Sequence, residues 1–398
     1  HFVRRRQRQM CIRDRYLHAS DGTKYLDLVN NVSHVGHCNP HVVEAGQRQM
    51  AILNTNSRYV YEELTEYLGR LSSTLPESLT VGFLVNSGSE ANELAVRLAR
   101  SYTGNHDMAV IEGAYHGHTG MLIDLSPYKF RGPGGRGSPE PWVHVLPIPD
   151  TYRRPTIDYS AEAREGMKQA GPLAGLLIES MLSCAGQVPL PPSYFPEVAS
   201  AVRNQGGLLI ADEVQVGFGR VGNHMWAFEE SGVTPDIVVM GKPIGNGHPM
   251  AAVFTTPEIA SSFGGMEFFS TFGGNPVSCA IGMAVMDVIE KEDLMNRAHV
   301  LGERFKTGLN SLMQEHELIG DVRGRGLFLG VEIVKDRSTL EPAAMEASEI
   351  VGAMRDQGVL LSTDGPLHNV IKIKPPMVLN HDDVDRTLSE LENCLSTM

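Results

Sequence analysis

The chain has 398 residues, is 42% hydrophobic and 20% charged, and carries a net charge of −13. That is the composition of a globular protein too large for one compact core, and its acidic balance argues against a general nucleic-acid binder. No apolar run approaches the roughly 20 residues that a membrane helix needs. The five cysteines, Cys11, Cys38, Cys184, Cys279 and Cys394, are scattered and odd in number. They are not a disulfide framework, so a cytoplasmic protein without a membrane partner is expected.

Residues 1–15 hold six arginines and almost no periodicity. The run Arg5-Arg6-Gln7-Arg8-Gln9-Met10-Cys11-Ile12-Arg13-Asp14 reads better as a translated adaptor oligonucleotide than as a basic arm or transit peptide. Residues 1–15 are therefore expected to be a non-native leader, and 16–45 an N-terminal segment. Tyr16 to Leu28 reads as a hairpin turning at Asp21-Gly22. Helices are expected from His41 to about Leu53 and from Glu62 to about Thr74, before Pro76.

Val81 to Val85 is a short apolar strand running into Asn86-Ser87-Gly88-Ser89-Glu90. Helical spacing follows through Ala91, Leu94, Ala95, Leu98, Ala99 and Tyr102, with Ser87 and Glu90 at capping-box spacing. A strand, a glycine-serine turn and a helix N-terminus can bind phosphate through free N–H groups and the positive dipole end. A well-capped helix with no ligand is the other reading. Met108 to Glu112 is a strand that ends at Tyr115, an aromatic able to stack on a planar ring. Ser126 to Pro155, rich in Gly and Pro, reads as a surface excursion. Ala174 to Ile178 is a strand ending at Glu179, and a helix is expected to start at Pro189–Pro192 and run to about Asn204.

Two further apolar runs each stop at a charge: Gly207 to Ala211 at Asp212, and Asp236 to Met240 at Lys242. Such runs suit strands buried on both faces of a parallel sheet, where ligands sit beyond the carboxyl ends. An acid and a lysine at neighbouring strand ends are what pyridoxal phosphate chemistry asks for: one opposite the pyridine nitrogen, the other forming a Schiff base. A simple buried Asp212–Lys242 salt bridge is the bland alternative. A helix follows Pro276 through Val288, and another spans Met295 to Glu315. Then come a turn at Arg323-Gly324-Arg325-Gly326, a strand Leu327 to Val334 and a helix Ala343 to Gln357. Strands Val359 to Ser362 and Val370 to Ile373 precede a last helix, Asp382 to Leu395. The expected fold is α/β, with a large domain over 46–290 built on a mostly parallel sheet and a smaller α+β C-terminal domain over 291–398.

Five motifs stand in order: Ser87-Gly88-Ser89-Glu90-Ala91, Tyr115-His116-Gly117, Asp212-Glu213-Val214-Gln215 with Gly217-Phe218-Gly219-Arg220, Gly241-Lys242, and Thr271 with Gly273-Gly274-Asn275-Pro276. With these residues the chain resembles the class III (ω-) aminotransferases, fold-type I pyridoxal phosphate enzymes of the aspartate aminotransferase-like fold. The phospho-lyase branch, acting on ethanolamine phosphate or phosphohydroxylysine, is similar at Met240 to Pro249, Asp364-Gly365-Pro366 and Asn369 to Met377. The resemblance implies that Lys242 holds the cofactor and moves the proton, and that Asp212 pairs with the ring nitrogen. Gln215 would meet the ring hydroxyl, Tyr115 would stack on the ring, and Gly88 and Ser89 would bind its phosphate. His116, Glu179 and Val214 would line the same site. Thr271 would reach the phosphate of the partner in a homodimer. No metal site is implied.

Many class III members carry an arginine where this chain has Lys372. Lysine is a point charge that suits a phosphate better than it suits bidentate grip of a carboxylate. Lys372 and Lys374 share one side of a strand, and Arg325 and Arg323 are further anion candidates; two solvated edge lysines are the alternative. The expected activity is that of a pyridoxal 5'-phosphate enzyme acting on a primary amine with an anionic tail. It leans to β-elimination of phosphate and ammonia, with ω-transamination as the alternative. A non-catalytic phosphate-binding protein is a further alternative, but it lacks a Gly-x-Gly-x-x-Gly turn after its first strand. An aminomutase would share every cofactor residue.

Overall fold

The computed structural model describes residues 11–54, 59–264 and 268–398. Its centre is a seven-stranded sheet. Across the sheet the strands are Val81–Val85, Ala251–Thr255, Ile237–Met240, Leu208–Asp212, Leu173–Glu179, Asp107–Ile111 and Val143–Leu146. Ala251–Thr255 runs antiparallel to both its neighbours, and the remaining pairings are parallel. The four strands from Ala251–Thr255 to Leu173–Glu179 are buried along their whole length. That explains their unbroken apolar runs: both faces are covered. Alternate side chains of one strand feed two cores, Met108 and Val110 on one face and Ala109 and Ile111 on the other.

A second, antiparallel sheet holds Ile319–Arg325, Phe328–Asp336, Val370–Ile373 and Ser362–Asp364, with Glu341–Pro342 paired to the long strand. The hairpin Tyr16–His18 and Lys24–Asp27 forms as expected. It joins Val359–Leu360 in a third sheet, so the first hairpin is tied to the last third of the chain. Of the leader expected at 1–15, residues 1–10 lie outside the described residues, while Cys11–Arg13 pairs with Tyr16–His18.

The helices Pro40–Ile52, Glu62–Ser72, Gly88–Thr103, Pro276–Lys291, Leu294–Glu315, Ala344–Asp356 and His381–Leu395 fall within a few residues of expectation. Ser87 Oγ accepts the Glu90 N–H at 3.1 Å, one half of the capping box; the Glu90 carboxylate turns instead to the Asn86 N–H at 2.8 Å.

Three expectations are corrected. The stretch 126–155 is not only a surface excursion: Val143–Leu146 is the outer strand of the main sheet, with Val143 and Leu146 buried. Arg323 and Arg325 stand on a strand, not in a turn, and the turn comes at Gly326-Leu327. The helix expected from Pro189 begins at Tyr194, past the prolines. The strand Ala251–Thr255 and the helix Tyr159–Ala170 are additional to the expected elements. Among the described residues no helix is long and apolar enough to cross a membrane.

The helix Leu294–Glu315 lies so close to the second sheet's turn that a β-carbon on Gly302 would stand 2.3 Å from the Gly326 carbonyl oxygen. Backbone cannot yield cheaply there, so Gly302→Ala should destabilise the fold by about 1–3 kcal/mol. A shifted denaturant midpoint at unchanged slope would show it; an unchanged midpoint would contradict this packing.

Candidate active site

Glu179 and Asp212 are register partners at the carboxyl ends of adjacent parallel strands. The next strand ends at Met240, and Lys242 follows as the first residue of a short 3-10 turn. Its φ of 34° is strained for a residue with a side chain. The helix Gly88–Thr103 starts against the same edge. A β-carbon on either Gly88 or Gly241 would come within 3.2 Å of the Val214 methyls, so Val214 is wedged between the helix start and the lysine turn.

Asp212 is 3% exposed, yet it is well partnered. Its Oδ2 accepts from Asn92 Nδ2 at 2.9 Å and from His116 Nδ1 at 2.8 Å. Its Oδ1 accepts the Val214 N–H at 3.1 Å. Asn92 also donates to the His116 carbonyl at 2.9 Å, which locks the three together. His116 thus braces the acid from behind. The bland alternative does not form: among the described residues Lys242 has neither a hydrogen bond nor an ion pair, and Asp212's partners are the three just named. Burial lowers the Lys242 pKa, with Asp212 opposing and the charge of Lys372 adding to the fall.

Burial pushes the Glu179 carboxyl up to about 7, helped by Asp212. Its Oε1 accepts from the Ser183 hydroxyl and, at 3.3 Å, from the Ser183 N–H, while Oε2 is buried without a partner. Gln215 Oε1 accepts from Asn31 Nδ2 at 2.6 Å and from Lys374 Nζ at 3.5 Å. Tyr115 meets Tyr128 edge-on, with ring centroids 6.1 Å apart. Ser89 Oγ pairs with His118 Nδ1 at 3.2 Å. Thr271 is exposed on a loop at the chain surface.

The two C-terminal lysines are not solvated. Lys372 Nζ pairs with Asp364 Oδ2 at 3.1 Å, their side chains 19% and 4% exposed. Lys374 is buried over the Phe328 ring at 5.5 Å, and burial, then the charge of Lys372, push its pKa down to about 8. The charge of Lys372 helps lower the Lys242 pKa, and the charge of Lys242 in turn helps lower that of Lys374, which places both C-terminal lysines in the electrostatic reach of Lys242. Arg325 is placed elsewhere. It pairs with Glu230 in a cleft lined by Met181, Pro189, Pro191 and Phe228. Arg323 is committed to Asp321 and Glu332. Asn31, Asn92, Gln187 and Cys184 carried no local signal, and Asp364 stood only within a motif. Burial raises the Cys184 thiol to about 12, which leaves it unreactive.

The set fits pyridoxal phosphate. A partnerless, partly desolvated lysine, a braced carboxylate, an apolar wedge and a helix N-terminus converge at one sheet edge. Together they match an aldehyde, a ring nitrogen, a ring face and a phosphate.

The profile described as Aminotransferase class-III matches residues 9–395. A Drosophila melanogaster protein named alanine–glyoxylate aminotransferase 2-like is 49% identical, over 96% of this chain and 81% of its own length. A Caenorhabditis elegans protein named ethanolamine-phosphate phospho-lyase homolog 1 is 44% identical, over 96% and 87%. A solved Arthrobacter phospholyase in complex with phosphoethanolamine superposes at TM-score 0.92 with 38% identity, over 98% of this chain and 94% of its own.

Glu179 yields a signed prediction. A carboxyl raised in the fold is still protonated when the unfolded chain ionises, so its penalty is absent below about pH 4.5, grows to pH 7 and is constant above. Glu179→Gln should therefore raise the melting temperature relative to the parent more at pH 8 than at pH 4.5, corresponding to up to about 3 kcal/mol. An equal difference at both pH values would contradict the shift.

Proposed function

The chain belongs to the class-III aminotransferase family of pyridoxal phosphate enzymes, and from that membership we propose that it eliminates phosphate and ammonia from a small aminoalkyl phosphate such as ethanolamine phosphate. The observation that carries the substrate class is the pair Lys372 and Lys374, one partly exposed and one buried, both within the electrostatic reach of Lys242. Point charges on flexible stems suit a phosphate, whereas a planar carboxylate is gripped best by an arginine fork. The C. elegans and Arthrobacter relatives carry phospho-lyase names. The Drosophila relative's name supports the second reading, transfer of the amino group to a keto acid.

When bound, pyridoxal phosphate supplies an electron sink for the carbon that bears the substrate's amine. The chain's own groups do the rest. The helix start at Gly88 and Ser89 offers N–H groups to the cofactor phosphate, with Val214 and Tyr115 for its ring and Gln215 for its ring hydroxyl. Asp212, braced by Asn92 and His116, presents a fixed negative charge to the ring nitrogen. Lys242, its pKa lowered by burial, takes the proton from the amine-bearing carbon at Nζ. Glu179, its carboxyl raised to about 7 by burial, is only partly ionised near neutral pH and so adds less than a full negative charge. Lys372 and Lys374 hold the anionic tail over the adjacent carbon. The C–O bond there breaks and its electron pair leaves with phosphate. One water converts the remaining fragment to aldehyde and ammonia, so no oxidant is consumed.

The active unit of this reading is a homodimer. Tyr59, Val60 and Phe272 are 75%, 93% and 70% exposed, and the Tyr61 hydroxyl donates to the Gly274 carbonyl, bringing these segments together beside Thr271. A second copy of the chain covers this patch, and Thr271 reaches its cofactor phosphate. The free cysteines Cys38, Cys184, Cys279 and Cys394 agree with a reducing cytoplasm.

With ethanolamine phosphate, phosphate and ammonia should appear in equal amounts; keto-acid-dependent amino transfer without phosphate would refute the elimination. Lys372→Met should raise KM for that substrate about 10–100-fold while leaving a neutral amine little changed. Phe272→Asp should give a monomer in light scattering that loses cofactor on dialysis, and a dimer that keeps it would contradict the interface.

A further inference from the structure

We propose that Asp364 is an internal counter-ion that competes with the substrate's anionic tail for Lys372, and that this competition frees inorganic phosphate after the reaction. The inference rests on the reading above, in which Lys372 binds the tail.

Asp364 ends the strand Ser362–Asp364, whose Ser362 lies opposite Lys372 in the antiparallel register. Two residues on, Asp364 is on the same face and takes the Lys372 ammonium at 3.1 Å. Asp364 is buried and Lys372 only partly exposed, so the carboxylate in particular needs a partner. Asp364 has a second one. Gln187, fully buried, donates Nε2 to Asp364 Oδ2 at 3.3 Å and to the Ser183 carbonyl at 2.9 Å. Asp364 therefore keeps a donor when Lys372 turns away. Lys374 is engaged by Gln215 rather than by Asp364.

This arrangement sets an exchange. A phosphate that engages Lys372 must take its ammonium from Asp364, and the four-carbon lysine stem allows the swing. The exchange subtracts the lost ion pair from the new one. Without Asp364, a buried lysine and a partly buried one would hold a phosphate dianion tightly, and the product would be retained along with the substrate. With it, the departing phosphate is replaced by a carboxylate already in place. Gln187 and the strand pairing keep that carboxylate from following the lysine. The opposite role, Asp364 steering Lys372 onto the tail while staying bonded to it, predicts weaker phosphate binding once the acid is removed.

The test uses the cofactor-loaded enzyme and calorimetric titration with inorganic phosphate and with methylphosphonate, on the parent, Asp364→Asn, Asp364→Ala and Lys372→Met. Both Asp364 variants should bind inorganic phosphate at least about tenfold more tightly, since removing one close opposing charge in a partly desolvated site is worth a tenfold step or more. Inhibition of turnover by phosphate should strengthen by the same factor, and kcat should fall as release slows. Lys372→Met should bind phosphate more weakly. Unchanged or weaker phosphate binding in the Asp364 variants, with Lys372→Met weakened, would overturn the counter-ion role alone. Unchanged binding in Lys372→Met would overturn the tail-binding reading beneath it. Retained cofactor absorbance and melting temperature certify the fold of each variant, and Asp364→Asn, the near-isosteric change, decides if Asp364→Ala does not fold.

Discussion

The Asp212 carboxylate sits at the end of a strand with almost no access to water, and the site is organised around keeping it there. A buried carboxylate is tolerated only with hydrogen bonds to spare. The donors that Asp212 uses come from separate parts of the chain: Asn92 from a helix, His116 from the loop after the strand Asp107–Ile111, and the N–H of Val214 from its own turn. Parallel pairing brings all of these to one edge, because strand ends in such a sheet face the same way. The same edge puts Glu179 beside Asp212 and Lys242 one strand away.

A shortage of water governs the charges around that edge. Burial, more than pairing, sets the Lys242, Glu179 and Lys374 values, and each moves towards neutrality. Two acids and three lysines in mutual reach would otherwise be a cluster of large opposing charges. Shifted as they are, Lys242 gives up its proton more readily than an exposed lysine, and Glu179 need not add a second full charge beside Asp212. Lys372 differs because Asp364 balances it directly. The Asp212 side of the site is thus braced by hydrogen bonds, while Lys372 is held by its ion pair with Asp364.

Much of this was legible in the sequence. Apolar runs that stop at Glu179, Asp212 and Lys242 do so because both sheet faces are buried while the strand ends open on a ligand crevice. The helix after Gly88 was readable from its cap and its periodicity. What escaped was decided by pairing across the chain. Asn31 reaches Gln215 over 184 positions, and Gln187 reaches Asp364 over 177, with nothing local to mark either. Ala251–Thr255 looks like any other buried strand, and only its two neighbours make it antiparallel. Arg325 was an anion candidate by charge alone, and Glu230 already occupies it. The alternative of two solvated edge lysines fails because Val370–Ile373 is paired on both sides, and Lys374, just past its end, is enclosed by Phe328 and Gln215.

The central claim is that, of the three lysines gathered here, Lys242 is the one that carries the cofactor. Borohydride reduction of the pyridoxal phosphate-loaded protein, followed by proteolysis and peptide mass mapping, tests it directly. The added mass should be found on the peptide containing Lys242 and on neither Lys372 nor Lys374. A label on either of those two, or a loaded protein that borohydride leaves unlabelled, would contradict it.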